Sequence, residues 1–518
     1  MGRSYILVKK ISCNVMASFL SQLTAFICGL VVPRLILGAF GSEVNGLTQS
    51  IVQFLGVIHF LDMGLGQVVC SSLYGPLAEK DYAQISRILC SGRRFYRKVG
   101  VVLGIYVLVL LAWYPRLVAD RFGWAFTASM ILVLSVSSFS QYFFGITNEL
   151  LLHADQKNYL SYGLQIFCNT AATLLCILLL KRQASIQGVK LAAAGVFLIK
   201  PAVYAIYVRK RYPLQRNIRY TGEPIRQKWS GIAQHISAVV LDGTDNIVLT
   251  LCAGLREVSV YSVYYMVIAG IQSFFSAAVT GIQSAAGAVW AKQDREGIRR
   301  FFCTAERVLH MTAVFLFSCT GILIVPFVRV YTAGLTDAPY IQPLFAAVLV
   351  LAYGIRCLRT PYNIWVLAAG HFRQTQLCHI TAAAVNLVLS VLAVFRFGLM
   401  GVALGTLAAM CWQTGWLALY TTRKLIPCEK GHLRKQLLAD AAAAAGIRLC
   451  TVALELQQVS YLGWLTMAVQ VAFIALGCIA AACLLFYGKP KNWIQFPGQQ
   501  RFDRCAVGKE DNQFRRAL

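Results

Sequence analysis

The sequence predicts an all-α polytopic membrane protein with about 14 transmembrane helices, in two pseudo-symmetric six-helix lobes followed by two C-terminal helices. Three observations favour this fold class. Of the 518 residues, 58% are hydrophobic and 13% are charged, whereas a soluble domain has about 25% charged residues. Apolar runs of bilayer length recur from residue 11 to residue 487. Short motifs also recur at one register in the two halves of the chain.

A transmembrane helix needs about twenty largely apolar residues. The first apolar run is too long for the apolar part of a cleaved signal peptide, so we retain it as a span. The run at 438–455 contains five consecutive alanines near its start. The predicted spans are near 11–37, 47–74, 99–113, 126–151, 159–180, 189–207, 230–253, 259–289, 305–326, 341–369, 377–395, 401–421, 438–455 and 462–487.

The distribution of the 48 Lys and Arg residues predicts the orientation of these spans. With the N-terminus in the cytoplasm, 34 of them lie in cytoplasmic segments, 7 in external segments and 7 within spans. This asymmetry follows the positive-inside rule, so the net charge of +27 reflects topology rather than nucleic-acid binding. Both termini and the long basic loops at 75–98 and 208–229 are therefore predicted to be cytoplasmic. The helical spacing within 75–98 fits either a helix on the inner membrane surface or a solvated helix.

Three pairs of motifs share one register and indicate an internal repeat. Residues 78–81 (Ala-Glu-Lys-Asp) match residues 291–294 (Ala-Lys-Gln-Asp) 213 positions later, and Glu43-Val44 matches Glu257-Val258 at 214. The region 148–157 matches 363–373 in the same way. The predicted organisation is an N-terminal lobe at 1–207, a basic linker at 208–229, a C-terminal lobe at 230–421, spans thirteen and fourteen with their preceding loop at 422–487, and a cytoplasmic tail at 488–518.

No pattern in the sequence predicts an enzyme or a metal site. The 17 cysteines are scattered, with no CxxC pair and no Cys/His cluster at metal-binding spacing. There is no phosphate-binding Gly-rich loop with a Lys and no nucleophile elbow. We therefore predict no catalytic residue, no metal and no cofactor other than H⁺ or Na⁺ as a coupling ion.

Charged residues inside predicted spans are candidates for function, because each costs about 2.5 to 3.5 kcal/mol at the bilayer centre. In span seven, His235, Asp242 and Asp245 share one helix face. Two neighbouring carboxylates in a medium of low dielectric constant cannot easily both stay charged, so they bind a cation or share a proton. The pair therefore predicts an ion-coupling site. The alternative is a structural polar stripe. Asp62 in span two is a less specific candidate for the same role.

Basic residues inside the spans suggest an anion site. Arg356 and Arg359 are one helical turn apart in span ten, beside Pro361, and paired guanidinium groups suit bidentate binding of phosphate or carboxylate. The alternative is an internal ion pair with Asp242 or Asp245. Lys200 and Arg34 are further candidates, for which the alternative is snorkelling towards the membrane surface.

Several motifs, in order along the chain, resemble the polysaccharide-transport (O-antigen/oligosaccharide flippase) family of the multidrug/oligosaccharidyl-lipid/polysaccharide exporter superfamily. They cover spans one to eleven. The motifs are Gly-Ala-Phe-Gly-Ser-Glu-Val-Asn-Gly-Leu at 38–47, Leu-Tyr-Gly-Pro-Leu-Ala-Glu-Lys-Asp-Tyr at 73–82, His-Ala-Asp-Gln-Lys-Asn-Tyr at 153–159, and Arg-Thr-Pro-Tyr-Asn at 359–363 with Ala-Ala-Gly-His-Phe-Arg-Gln-Thr at 368–375.

The resemblance implies a multi-pass protein of the bacterial cytoplasmic (inner) membrane, in which two lobes alternate access to a central cavity. Its partners would be the lipid bilayer, an undecaprenyl-pyrophosphate-linked oligosaccharide, and the polymerase and glycosyltransferases that use it, and we expect a monomer. The matching anion-site positions would be Arg34, Arg356 and Arg359, and the cation-site positions Asp242 and Asp245. Two other functions stay open: a drug/cation antiporter of the same superfamily, and a membrane-embedded glycan polymerase or ligase.

Overall fold

The computed structural model describes residues 2–58, 65–215, 232–291, 294–429 and 431–488, and its regular secondary structure there is entirely helical. Two π-helical turns, Gln141–Gly145 and Thr421–Leu425, directly follow α4 and α15. The helices are α1 (Gly2–Gly56), α2 (Leu65–Glu79), α3 (Tyr82–Leu117), α4 (Trp124–Ser140), α5 (Ile146–Ala154), α6 (Asn158–Lys181), α7 (Ile186–Phe197), α8 (Ile199–Arg211), α9 (Ile232–Cys252), α10 (Leu255–Ala291), α11 (Arg295–Tyr331), α12 (Pro343–Leu358), α13 (Thr360–Ala368), α14 (Phe372–Phe397), α15 (Leu399–Tyr420), α16 (His432–Cys450) and α17 (Tyr461–Tyr487).

The helices confirm the predicted fold class. Within the described residues, 11 helical segments are long and apolar enough to cross a membrane. The other three predicted spans correspond to the end of α1 together with α2, to α9 and to α16. Many large apolar side chains on these helices are exposed, such as Leu485 at 78% and Phe473 at 72%. Such surfaces are stable in lipid and would be unfavourable in water.

Span two begins at a break inside α1. Gly41 has a φ of 81° and a ψ of 176°, a conformation that glycine adopts at little cost. The freed backbone N–H of Ser42 donates to Asp337 Oδ2 at 2.6 Å. Burial raises the pKa of Asp337, but the hydrogen bonds from Ser42, a hydrogen bond to its own backbone and the charge of Arg256 together outweigh burial, so the pKa lies below its usual value. The predicted start of span two, at 47, is thus too late by about one turn.

The basic segment at 75–98, predicted as a surface or solvated helix, is mostly helical and continues directly into span three as the N-terminal part of α3. Asp81 caps α3 by accepting from the backbone N–H of Gln84 at 2.9 Å, and the helix continues to Leu117. Ile85 and Leu89 are 0% and 3% exposed, so this face packs against the protein. The helical spacing was read correctly, but the burial of that face could not be seen in the sequence.

The internal repeat recurs in the local backbone geometry. Asp294 caps α11 as Asp81 caps α3, 213 residues earlier. Left-handed backbone conformations recur at the same register, in the pairs Gly41 and Gly254, Gln156 and Gly370, and Gln183 and Gly398. α5 and α13 are both nine residues long and begin 214 residues apart. The duplicated halves therefore share turn geometry even where their residues differ.

The chain forms two compact units. The core of unit 1 includes Tyr96, Leu103 and Leu151. In unit 2, Trp365 is fully buried and its ring contacts those of Phe301 and Phe302. Unit 1 comprises Met1–Met266, Gly334–Pro339 and Val394–Val402, and unit 2 comprises Val267–Ala333, Tyr340–Ala393 and Ala403–Leu518.

One motif of the family resemblance stabilises a turn in unit 1. Lys157 Nζ lies 2.7 Å from Asp155 Oδ2 and donates to the Tyr212 hydroxyl at 2.9 Å. The hydroxyl of Tyr212 in turn donates to Asp155. Burial lowers the pKa of Lys157, but the hydrogen bonds to Asp155 and Tyr212 outweigh it and raise the pKa overall. This part of the motif ties the α5–α6 turn to the residue after α8.

Candidate functional site

Arg356 and Arg359 lie where span ten is interrupted in unit 2. Pro361 has no N–H to continue the helix, and α12 ends at Leu358 before α13 begins. The carbonyl of Ile355 accepts both from the Arg359 backbone N–H at 3.1 Å and from the Thr414 hydroxyl at 3.2 Å. The Arg356 guanidinium is 5.9 Å from the centre of the Tyr353 ring. Both arginines are partly buried.

An apolar groove of about 670 Å³ runs along unit 2 between α11, α12 and α16. On α12 its lining extends from Pro343 to Leu358, which is about 22 Å of helix and most of the thickness of a bilayer core. Two charged residues, Asp440 and Arg448, also line it. Most of the other lining residues are apolar and include Ala313, Phe317, Ile322, Val325, Ala347, Leu351, Ile355, Leu437 and Ala444.

The groove and the two arginines occupy adjoining faces of α12. Ile355 and Leu358 line the groove, and Arg356 and Arg359 each follow one residue later. One residue corresponds to about 100° of rotation round the helix axis. Neither arginine is among the residues that line the groove, so the two arginines lie beside it, where its lining on α12 ends.

Asp245 is the best-defined member of the predicted ion-coupling set. It is 4% exposed, and its Oδ2 accepts a hydrogen bond of 2.6 Å from the Tyr261 hydroxyl of α10. His235 and Asp242 belong to α9, but their side chains lie outside the described part of the chain. Asp62 lies entirely outside the described residues. The structure thus describes a buried carboxylate at one of the four predicted positions.

Lys200 lines a polar cavity of about 430 Å³ in unit 1. Its Nζ donates to Gln165 Oε1 at 2.7 Å, and Tyr204 donates to Glu149 Oε1 at 3.3 Å in the same cavity. The π-helical turn Gln141–Gly145 forms part of the wall, and such turns are frequent at functional sites. The amine of Lys200 is therefore directed into the protein, whereas snorkelling would have placed it at the membrane surface.

Arg34 lies in α1, seven residues before the break at Gly41. Its Nη1 lies 3.7 Å from the position that a Cβ atom would occupy at Gly38, four residues later in the same helix. The guanidinium group is thus directed along the helix towards the end of span one. That direction agrees with the snorkelling alternative for this residue.

Unit 2 also contains a buried polar network that the sequence did not predict. Glu306 is fully buried, accepts from the Tyr362 hydroxyl at 2.7 Å and contacts His432 Nε2 at 2.5 Å. One turn further along α11, His310 Nδ1 contacts Asp440 Oδ2 at 2.5 Å. These contacts join α11 to α13 and α16.

Solved structures share this fold. The structure of the lipid II flippase MurJ in an inward closed conformation aligns with this chain at a TM-score of 0.67 and 14% identity. The alignment covers 92% of this chain and 98% of the MurJ chain. The fold is that of MurJ and the MATE transporters. A MOP superfamily transporter from Pyrococcus furiosus covers 80% of the chain and 96% of its own (TM-score 0.56, 14% identity). A mutant of the Vibrio cholerae MATE transporter VcmN covers 84% and 100% (TM-score 0.57, 15% identity).

The MurJ/MATE fold confirms the predicted resemblance at the level of architecture. Neither a protein-family model nor a curated protein sequence matches the chain. The solved structures named above are flippases and transporters rather than enzymes. At 14% or 15% identity this likeness extends to the fold, and the substrate has to be argued from the residues of this chain.

Proposed function

We propose that the protein is a flippase that moves undecaprenyl-pyrophosphate-linked oligosaccharide repeat units across the bacterial cytoplasmic membrane for cell-surface polysaccharide biosynthesis. It would work by ion-coupled alternating access. The observation that carries the proposal is the apolar groove of unit 2 beside Arg356 and Arg359. It combines in one unit a surface for a long apolar tail and donors for a pyrophosphate.

The chemistry of the two parts differs, and both are needed by a lipid-linked anion. A polyprenyl chain gains about 25 cal/mol for each Å² of apolar surface that it buries, but inside a bilayer that gain is largely absent. A groove of matching shape therefore contributes mainly positioning. The guanidinium pair supplies the strong interaction, because charge-assisted bidentate hydrogen bonds to phosphate are stronger in surroundings of low dielectric constant.

A drug/cation antiporter is the second candidate, and the buried carboxylate of Asp245 favours it. MATE transporters share the fold. An exporter of cations would bind its substrate through carboxylates and would gain nothing from Arg356 and Arg359. The two candidates therefore differ in the sign of the charge that they recognise.

Binding measurements on purified protein test the proposal. We expect Arg356→Lys and Arg359→Lys each to weaken binding of an undecaprenyl-pyrophosphate analogue at least tenfold, about 1.4 kcal/mol, because Lys keeps the charge but loses the two-donor fork. Thermal stability should be unchanged. Arg329→Ala, at an exposed position near the end of α11, is the matched control.

Filling the groove tests the tail separately. Ala444→Trp should weaken binding of the polyprenyl analogue and leave binding of soluble pyrophosphate unchanged, whereas Leu476→Trp on the exposed face of α17 should affect neither. Binding of organic cations with full affinity for the arginine variants, and no binding of the pyrophosphate lipid, would support the antiporter instead. Unstable Ala variants of the arginines that are rescued by neutralising Asp242 or Asp245 would identify a structural ion pair.

A further inference from the structure

Two thiols and an imidazole meet at one end of unit 2. Cys303 lies in the third turn of α11, Cys428 in the segment between α15 and α16, and His432 at the first position of α16. One ligand atom from each residue lies within 4.8 Å of the other two, and all three residues are partly exposed. The two cysteines are free thiols. No other group of three such residues meets this criterion in the part of the chain that the structure describes.

The distances suit a tetrahedral metal site after a small adjustment. With Zn–S bonds of about 2.3 Å and Zn–N bonds of about 2.0 Å, the ligand atoms of a tetrahedral site are about 3.5 to 3.8 Å apart. The observed limit of 4.8 Å therefore requires movements of about 1 Å or less. Cys428 lies outside the helices, and its backbone N–H donates to the Thr422 carbonyl at 3.1 Å, so rotation of its side chain has to supply most of that movement.

Glu306 prepares the histidine for coordination. Its carboxylate holds Nε2 of His432 at 2.5 Å and is itself fixed by the Tyr362 hydroxyl at 2.7 Å. A metal-bound histidine typically donates its second N–H to a carboxylate, which fixes the tautomer and the ring orientation. With Nε2 engaged in this way, Nδ1 is the nitrogen that can bind the metal.

The charge balance is also suitable. Two thiolates neutralise a divalent cation, so the loaded site adds no net charge to unit 2. A cavity of about 660 Å³ is lined by Cys428, Glu429 and His432, which leaves room for water as a fourth ligand. Soft thiolate ligands with an imidazole select Zn²⁺ over Mg²⁺ or Ca²⁺.

We propose that Cys303, Cys428 and His432 bind one Zn²⁺ ion, with Glu306 as the positioning residue, and that the ion fastens the segment before α16 to α11. In the predicted orientation this site is cytoplasmic, where thiols stay reduced and bind metals rather than form disulfides. The proposal does not depend on which substrate is transported.

Metal content and cobalt spectroscopy of the purified full-length protein test it. We expect about one zinc per chain, and Co²⁺ substitution should give the thiolate-to-cobalt charge-transfer absorption of a site with sulfur ligands. Cys303→Ser, Cys428→Ser and His432→Ala should each lower the retained zinc roughly tenfold and abolish the charge-transfer band. Cys90→Ser is the matched control, because Cys90 occupies the equivalent repeat position on α3.

Glu306→Gln separates positioning from coordination. It should keep the charge-transfer band at saturating Co²⁺ but weaken the affinity by about 10- to 100-fold. Removal of zinc by a chelator should lower the melting temperature of the natural protein and of Cys90→Ser, and should leave that of the three ligand variants unchanged. Protein that retains no zinc and gives no charge-transfer band, or a Cys303–Cys428 disulfide found by mass spectrometry after alkylation in cells, would overturn the proposal.

Discussion

Asp245 combines a buried carboxylate with a hydrogen bond from the hydroxyl of Tyr261. A carboxylate held in this way either binds a coupling ion or stabilises the packing of α9 on α10. A substitution can separate the two roles, because the amide of Asn still accepts the Tyr261 hydrogen bond but does not bind a cation through charge.

We expect Asp245→Asn to abolish transport while the protein stays folded, and Asp242→Asn to do the same, as the ion-coupling hypothesis requires. Tyr261→Phe is the matched control. It removes the hydrogen bond but keeps the carboxylate, so it should cost about 1 kcal/mol of stability and leave transport largely intact. Complementation of a flippase-deficient strain at several pH values and sodium concentrations measures the effect. Normal transport by both Asn variants under all conditions would remove the coupling role.

At single residues, a sequence shows which charged side chains are unusual but not which groups they contact. Asp245, Lys200, Arg356 and Arg359 stand out in a sequence because a charge inside an apolar run is costly. Glu306 and His310 were overlooked because they lie near the end of a span, where polar residues are common. The group of Cys303, Cys428 and His432 could not be recognised in the sequence. Cys303 is more than 120 residues from the other two, so the three residues form no short motif with metal-binding spacing.

Polar contacts join α16 to the rest of unit 2. It carries Arg434, Lys435, Asp440 and Arg448, and it is not among the eleven helical segments that are long and apolar enough to cross a membrane. Asp440 is nevertheless compatible with a bilayer, because it is paired with His310 of α11 and accepts from Gln436 at 3.0 Å. The predicted span at 438–455 was displaced by about one and a half turns, since the helix begins at His432, after Gly431 with a φ of 92°.

We expect Asp440→Ala to destabilise the protein by about 3 to 5 kcal/mol, because it leaves His310 and Gln436 without their buried acceptor. The double variant His310→Leu with Asp440→Leu should cost less than Asp440→Ala alone, since Gln436 but no longer His310 is then left without its acceptor. Unfolding in detergent measures both. Glu455→Ala, at an exposed position after α16, should stay within about 0.5 kcal/mol of the natural protein. A similar small change for Asp440→Ala would show that the pair does not hold α16.

For the whole molecule, hydropathy was sufficient to predict the fold class. The bilayer fixes the length of each span, so fourteen runs could be counted even where boundaries moved by a turn or more. The repeat spacing of 213 to 215 residues could be recognised from short motifs. Helix caps and left-handed turns restrict the type of residue, as at Asp81, Asp294 and Gly41, so these positions keep similar residues in both halves. Contacts between distant helices have no such local signature.

The number of membrane crossings decides on which side of the membrane the chain ends. That number depends on whether α16 crosses the membrane. Its 19 residues span about 28 Å, close to the roughly 30 Å of a bilayer core. If α16 crosses, there are fourteen spans, the segment 451–460 is external and the C-terminus is cytoplasmic, as the basic-residue asymmetry predicts. If α16 lies on the inner surface, the segment 451–460 is cytoplasmic and the C-terminus is external.

Phosphatase fusions, which are active only outside the cytoplasm, distinguish these two topologies. We expect a fusion after Gln458 to be active and a fusion at Leu518 to be inactive, because the buried Asp440–His310 pair removes the main obstacle to insertion of α16. Fusions at Gly334, in a segment predicted to be external, and at Tyr212, within the basic linker predicted to be cytoplasmic, are the positive and negative controls. An active fusion at Leu518 together with an inactive one at Gln458 would show that α16 does not cross, and the C-terminal tail would then be external.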